Sequence, residues 1–276
     1  MYPVGTPDRA PPPTISETQK HNSRENAGSL EERWRVVRVG SLTDIGKVRE
    51  INQDSFAVDE GQGLFIVADG MGGHAAGEKA SQTAVQIIAE RLNAQVASAT
   101  NGQLLDGLQT AIQDANREII NASMEDASMR GMGTTATVLV TKGNQLYVGH
   151  VGDSRAYLIR NRRIDQITED HSIVAQLVRA RAITPQEAAR HPYRNVITRC
   201  LGMQVEVEAD TQQRELKAGD RLLICSDGLS GLVSDDEMLQ MVLSSDDPQK
   251  TCQDLVNLAL ERGGSDNITV VLIFND

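Results

Sequence analysis

Beyond about residue 33 the sequence is a close succession of short apolar runs separated by tight-turn residues, and nothing else in it constrains the fold as much. Runs of about four to eight apolar or alternating residues read as strands. They are expected near 34–39, 55–58, 64–68, 135–140, 145–151, 155–160, 164–167, 221–226 and 268–274, with 135–167 read as one meander. Gly61-Gln62-Gly63, Lys142-Gly143-Asn144 and Asn161-Arg162 supply turn chemistry, so 55–58 and 64–68 should form a hairpin. Helical stripes fall elsewhere. Ala80, Ala84, Ile87, Ile88 and Leu92 share one face over 78–92, and Leu105, Leu108, Ile112, Ala115 and Ile119 another over 104–122. Residues 171–190, 234–242 and 248–262 also read as helical, with a capping pattern at Thr184-Pro185-Gln186-Glu187. Hairpin-joined strands with helices in separate runs indicate an α+β fold, not a parallel βαβ design.

Residues 1–32 stand apart: they hold Pro11-Pro12-Pro13, many polar residues and almost no apolar periodicity, and read as a disordered tail. Residues 33–276 show no linker or repeat and read as one domain. Aromatic residues make up only 3% of the chain, so the core must be mostly aliphatic. A net charge of −11 argues against a broad surface for nucleic acid or anionic membrane, since both need a basic face. No apolar run approaches the roughly 18 to 20 residues of a membrane span, and the N-terminus lacks the apolar core of a signal peptide. Cys200, Cys225 and Cys252 are odd in number and form no CxxC pair, which suggests neither a disulfide framework nor a zinc site. The expected setting is the reducing cytoplasm.

Several carboxylates sit at expected strand ends beside glycine. Asp54 begins the first strand of the hairpin and Asp69 ends the second, which puts both on one edge. Asp153 follows 145–151, Asp227 follows 221–226 and Asp266 precedes 268–274. Asp227 and Asp266 share an edge if those last two strands are antiparallel neighbours. Crowded aspartates raise one another's pKa, and a cation relieves the repulsion. An oxygen-only donor set suits Mg²⁺, Mn²⁺ or Ca²⁺ and not zinc or copper. Each aspartate taken singly also reads as turn or helix-cap chemistry, and spacing alone leaves both readings open.

The chain carries Thr43-Asp44-Ile45-Gly46-Lys47-Val48-Arg49-Glu50-Ile51-Asn52-Gln53-Asp54 and Val67-Ala68-Asp69-Gly70-Met71-Gly72-Gly73-His74. Gly131-Met132-Gly133-Thr134-Thr135, Val151-Gly152-Asp153-Ser154-Arg155, Cys225-Ser226-Asp227-Gly228-Leu229 and Gly264-Ser265-Asp266-Asn267 follow in order. With these motifs it resembles the type 2C, metal-dependent serine/threonine protein phosphatases in their compact bacterial form. The resemblance implies a four-layer α-β-β-α sandwich with two central, mainly antiparallel sheets and a flap, here about 168–213, beside the active site. It implies two Mn²⁺ or Mg²⁺ ions. Asp69 would bridge them, with the Gly70 carbonyl on one, Asp227 and Asp266 on the other, and Asp54 on an ion or its water. Asp153, with Asp227, matches a third, weaker site.

The resemblance further implies that Arg49 binds the phosphate, for which its fork of donors is suited. His74 would protonate the leaving serine or threonine oxygen. The implied reaction is in-line attack by a water activated between the ions, with no phosphoenzyme. Phosphorylated proteins would be the substrates, a serine/threonine kinase among the partners, and the chain a monomer. The flap departs from the pattern at Arg179-Ala180-Arg181-Ala182, since relatives often carry a glycine near Arg181, and at Cys200, where alanine is commoner. Two other readings compete: a non-catalytic phosphoprotein binder, which the intact aspartate set opposes, and a hydrolase of small phosphate esters.

Overall fold

The computed structural model describes residues 37–72, 76–96 and 98–276; the expected tail over 1–32 and the start of the 34–39 run lie outside them. The strands are β1 (Val37–Asp44), β2 (Asp54–Asp59), β3 (Leu64–Met71), β4 (Gly133–Thr134), β5 (Ala136–Lys142), β6 (Gln145–Val151), β7 (Arg155–Arg160), β8 (Arg163–Gln166), β9 (Asp210–Glu215), β10 (Asp220–Cys225) and β11 (Ile268–Asn275). The helices are α1 (Ala76–Val96), α2 (Asn101–Glu125), α3 (Ile173–Arg179), α4 (Pro185–Ala188), α5 (Asp227–Ser230), α6 (Asp235–Leu243) and α7 (Pro248–Glu261).

Side-chain alternation on β3 shows how the layers form. Leu64, Ile66 and Ala68 face one way and pack with Ile88 and Leu92 of α1 and Leu108 and Ile112 of α2. Phe65 and Val67 face the other way and meet Leu222, Ile224, Val271 and Ile273 of a second sheet. That sheet repeats the pattern: Leu223, Cys225, Val270 and Leu272 turn outward onto Met238 and Val242 of α6 and Leu255 and Val256 of α7. Strands buried on both faces carry near-continuous apolar runs, which is why 221–226 and 268–274 were legible. The strand orders are β1-β11-β10-β7-β8 and β2-β3-β5-β6-β9, with β4 on the end of β3, and these strands pair antiparallel throughout. The architecture is the expected α-β-β-α sandwich.

Three expectations need correction. The stretch 135–167 is not one meander: β5 and β6 pair in one sheet, β7 and β8 in the other. The chain crosses between sheets at Gly152-Asp153-Ser154, where Gly152 takes φ +116°, a backbone conformation that side chains disfavour. Residues 171–190 do not form one helix. α3 stops at Arg179, Arg181 sits at φ +56°, and Thr184 caps α4 through the expected box with Glu187. Arg181 thus occupies a left-handed position that glycine adopts more readily than arginine. Finally, β9 begins inside the region read as flap and runs past its end. Its sequence is polar because it is an exposed edge strand, paired on one side to β6.

Candidate metal centre

The β2–β3 hairpin places Asp54 directly opposite Asp69. β10 and β11 pair with Cys225 opposite Val270, so Asp227, just past β10, and Asp266, just before β11, meet at the same end of the second sheet. Asp153 stands on the crossing between the sheets. Stacking therefore gathers the aspartates of both hairpin edges and of the crossover at one end of the sandwich. A cleft of about 200 Å³ there is lined by Asp69, Gly70, Asp153, Asp227, Asp266 and Arg49, among others. Asp54 lies at the buried margin of this group, 7% exposed.

Hydroxyl and amide groups hold these carboxylates in place. Ser226 Oγ and Thr269 Oγ1 each donate to Asp54 Oδ2 at 2.7 Å. Asp54 Oδ1 is buried and, among the described residues, has no hydrogen-bond partner. Leaving a carboxylate oxygen buried and unpaired is costly, and a cation is the partner that an oxygen-only site offers it. Thr135 fixes Asp69: its Oγ1 accepts from the Asp69 N–H at 2.8 Å, and its own N–H donates to the Asp69 carbonyl at 2.9 Å. Thr134 Oγ1 donates to the same carbonyl. His171 clamps the crossing: its N–H donates to the Gly152 carbonyl at 2.7 Å, and its Nδ1 accepts from the Gly152 N–H at 3.0 Å. The base of the flap is thereby tied to the loop that carries Asp153.

The electrostatics show the strain of collecting so many acids. Burial, then repulsion from Asp54 and Asp227, holds the Asp69 carboxyl well above the usual carboxylate range. Asp54 is pushed up to about 7 by burial, against the pull of Thr269 and Ser226 and with further push from Asp227 and Asp266. Asp153 also rises to about 7, through burial and the charges of Asp227 and Asp170. Asp227 is raised by burial and by Asp266, against a lowering pull from the Asp69 carboxyl. Without a cation, protons must take the role of counter-charge. Among the described residues, no three Asp, Glu, His or Cys side chains close into a cluster that would hold an ion unaided.

Arg49 reaches the cleft on the loop between β1 and β2, with Nη2 2.6 Å from Asp266 Oδ2. Asn267 positions this loop. Its Oδ1 accepts from the Gln53 N–H at 2.8 Å, and its Nδ2 donates to the carbonyls of Ile45 at 2.9 Å and Ile51 at 3.1 Å. Gly70 is held close on both sides. A Cβ there would lie 2.1 Å from the Gly77 carbonyl oxygen and 2.5 Å from that of Gln53, so only glycine lets β3, α1 and the β2 approach meet. His74 lies outside the described residues. The sequence reading assigned no role to Thr134, Thr135, Ser226, Thr269, Asn267 or His171, nor to Asn195 and Ile197, which reach the cleft from the flap. The signal was present, since a hydroxyl or amide residue adjoins most of the aspartate motifs.

Comparison with known proteins bears on the same residues. A profile of the family described as Protein phosphatase 2C matches residues 47–267. The serine/threonine phosphatase stp of Listeria monocytogenes serotype 4b (strain F2365) is 38% identical over 237 residues, covering 85% of this chain and 94% of that protein. The crystal structure of the Mycobacterium tuberculosis serine/threonine phosphatase PstP/Ppp matches with a TM-score of 0.81 at 41% identity, covering 87% of this chain and 99% of that one. The catalytic domain of the serine/threonine protein phosphatase PstP in complex with two manganese ions matches with a TM-score of 0.78 at 40% identity, over 87% and 98% of the two chains.

Proposed function

The chain belongs to the protein phosphatase 2C family, and from that premise we propose that it hydrolyses phosphoserine and phosphothreonine by direct in-line attack of water, without a phosphoenzyme, at a pair of Mn²⁺ or Mg²⁺ ions held by its aspartates. It is a metal-dependent serine/threonine protein phosphatase, and its substrates are phosphorylated proteins. The observation that carries the mechanistic reading is the gathering of Asp54, Asp69, Asp153 and Asp227, all with raised pKa, at one end of the sandwich, with Asp54 Oδ1 left unpaired.

In this reading Asp69, the Gly70 carbonyl, Asp227 and Asp266 would hold the two ions, Asp54 would serve an ion or its water, and Asp153, with Asp227, would hold a third. When bound, the ions neutralise phosphate charge and make water nucleophilic at neutral pH. Arg49 turns its guanidinium from Asp266 to the phosphate and orients it through paired donors. His74 is assigned the proton for the departing serine or threonine oxygen. The thiols fit no covalent role: burial pushes Cys200 up to about 11 and Cys225 and Cys252 up to about 12, so all three stay protonated and inert.

The test is Mn²⁺-dependent phosphate release from a phosphothreonine peptide. EDTA should abolish it. Asp227→Ala should lower turnover by about 10³-fold or more while circular dichroism stays unchanged. Wild-type turnover in that variant would overturn the ligand assignment. We propose further that the protein acts as a monomer in the cytoplasm, opposing a serine/threonine kinase. The buried free thiols fit a reducing compartment. Among the described residues, no helix is long and apolar enough to cross a membrane. Phosphoproteomics of a deletion strain would test the cellular role, through a rise in phosphoserine and phosphothreonine.

A further inference from the structure

The two flap helices α3 and α4 contain no buried residue, although each has an apolar side. Val174, Ala175 and Val178 of α3, and Pro185 and Ala188 of α4 with neighbouring Ala189, line a groove of about 740 Å³. Asp153, Asn195 and Asp227 line both this groove and the catalytic cleft, so the two are continuous. Two of the groove's arginines are already matched. Arg155 forks onto Asp170, with bonds of 3.0 and 2.7 Å, and Arg179 pairs with Glu169. Arg194, Thr168, Ser172 and Ser230 also line the groove, so its aliphatic part is the side formed by α3 and α4, and aliphatic surface kept open beside an active site marks a binding surface.

We propose that this groove is a specificity subsite for an aliphatic side chain of the substrate, close in sequence to the phosphorylated residue. The inference rests on the phosphatase reading above. A helix of α3's length rises about 10 Å, which an extended peptide covers in about three residues. The aliphatic side chain is therefore placed within about three residues of the phosphoserine or phosphothreonine. The continuity with the cleft is what selects an extended substrate peptide as the occupant. A chain lying across Asp153 and Asp227 with its phosphate in the cleft leaves over the α3–α4 surface.

The experiment uses the full chain with Mn²⁺ and a set of phosphothreonine peptides. The peptides are identical except for Leu or Ser at one position, scanned up to about three residues to either side. p-Nitrophenyl phosphate, which has no flanking residues, is the reference substrate. At one position Leu should raise kcat/KM about tenfold over Ser, the effect of burying one aliphatic side chain. Val178→Asp, and independently Ala188→Asp, should erase that preference while leaving p-nitrophenyl phosphate turnover within about twofold. Equal rates for Leu and Ser at every position would overturn the proposal. So would variants that slow both substrate types alike, which would make the flap surface merely structural. A wild-type dimer seen by light scattering and split by Val178→Asp, with no peptide preference, would assign the surface to a second copy instead. Wild-type protein inactive on p-nitrophenyl phosphate and on every peptide would sink the phosphatase reading itself, an outcome distinct from loss of the preference alone.

Discussion

The guanidinium of Arg49 lies 2.6 Å from Asp266 Oδ2, so the group expected to grip substrate phosphate already grips a carboxylate expected to hold metal. The pair is partly exposed and adds little stability by itself. Its significance is geometric, since the carboxylate shows where an anion fits the fork. Arg49→Lys keeps the charge and loses the fork, and should lower kcat/KM on a phosphothreonine peptide by about 10-fold to 100-fold, chiefly through KM. The Mn²⁺ concentration for half activity should stay close to wild type, because a single positive charge is kept beside Asp266. Steady-state kinetics over a Mn²⁺ series checks both points, and a large rise in the Mn²⁺ requirement would contradict them.

Asp227 shows function opposing stability. It is buried among like charges, and without metal its ionised form is a liability. Asp227→Asn should make the metal-free protein more stable by about 1 kcal/mol, seen as a melting temperature about 2–4 °C higher. The same variant should lose Mn²⁺-dependent stabilisation, which in wild type should reach about 2.7 kcal/mol at a hundredfold excess over Kd. Thermal melts with EDTA and with Mn²⁺ decide the matter. A variant less stable than wild type in EDTA would contradict the repulsion assigned here.

The raised aspartates set a pH dependence whose sign can be stated. An acid with a higher pKa folded than unfolded keeps its proton longer in the fold, so its contribution to stability is lost as pH rises through the folded value. Asp54 and Asp153 at about 7 place that loss between about pH 4 and the range around 7, and Asp69, also raised, adds to it. His150 acts the other way: burial pulls it down to about 4, so its contribution is lost as pH falls below about 6.5. His171 is lowered by burial too. The two effects oppose each other in acid, and above about pH 6.5 the aspartates act alone. The metal-free protein should therefore melt lower at about pH 8 than at about pH 6.5, and Mn²⁺ should flatten the difference. A metal-free melting temperature that climbs over this interval would refute the assignment.

Asn267 is a positioning residue whose amide makes three hydrogen bonds to the Arg49 loop. Asn267→Asp keeps the acceptor for the Gln53 N–H and loses both donors, leaving the Ile45 and Ile51 carbonyls unpaired at about 1–3 kcal/mol each if they stay dry. The loop should loosen. KM for phosphopeptide and the inhibition constant of inorganic phosphate should both rise about tenfold, with a smaller fall in kcat. Phosphate inhibition unchanged from wild type would show that Asn267 does not act through Arg49.

How much of this was legible beforehand depends on distance along the chain. The pairing of Asp54 with Asp69 followed from one short turn, because turn length sets hairpin register. The partnership of β10 with β11 was only a condition until the ladder placed Cys225 opposite Val270. The sheet change between β6 and β7 left no periodic trace, since both strands alternate as meander strands would. β9 was hidden by its polarity, and the break at Arg181 by the helical composition on either side of it.

The sequence by itself determined the kinds of elements, the edge on which each aspartate falls and, through its ordered motifs, the family. Those properties depend on neighbours a few residues apart, where periodicity and turn chemistry act. Only the tertiary structure decided that both hairpin edges and the Gly152 crossing meet at one end of the sandwich. The same holds for Ser226 and Thr269 reaching back to Asp54, Asn267 holding the Arg49 loop, and the aliphatic side of the flap staying open beside the cleft. Those relations arise from stacking one sheet on another, a contact between surfaces that local patterning leaves unspecified.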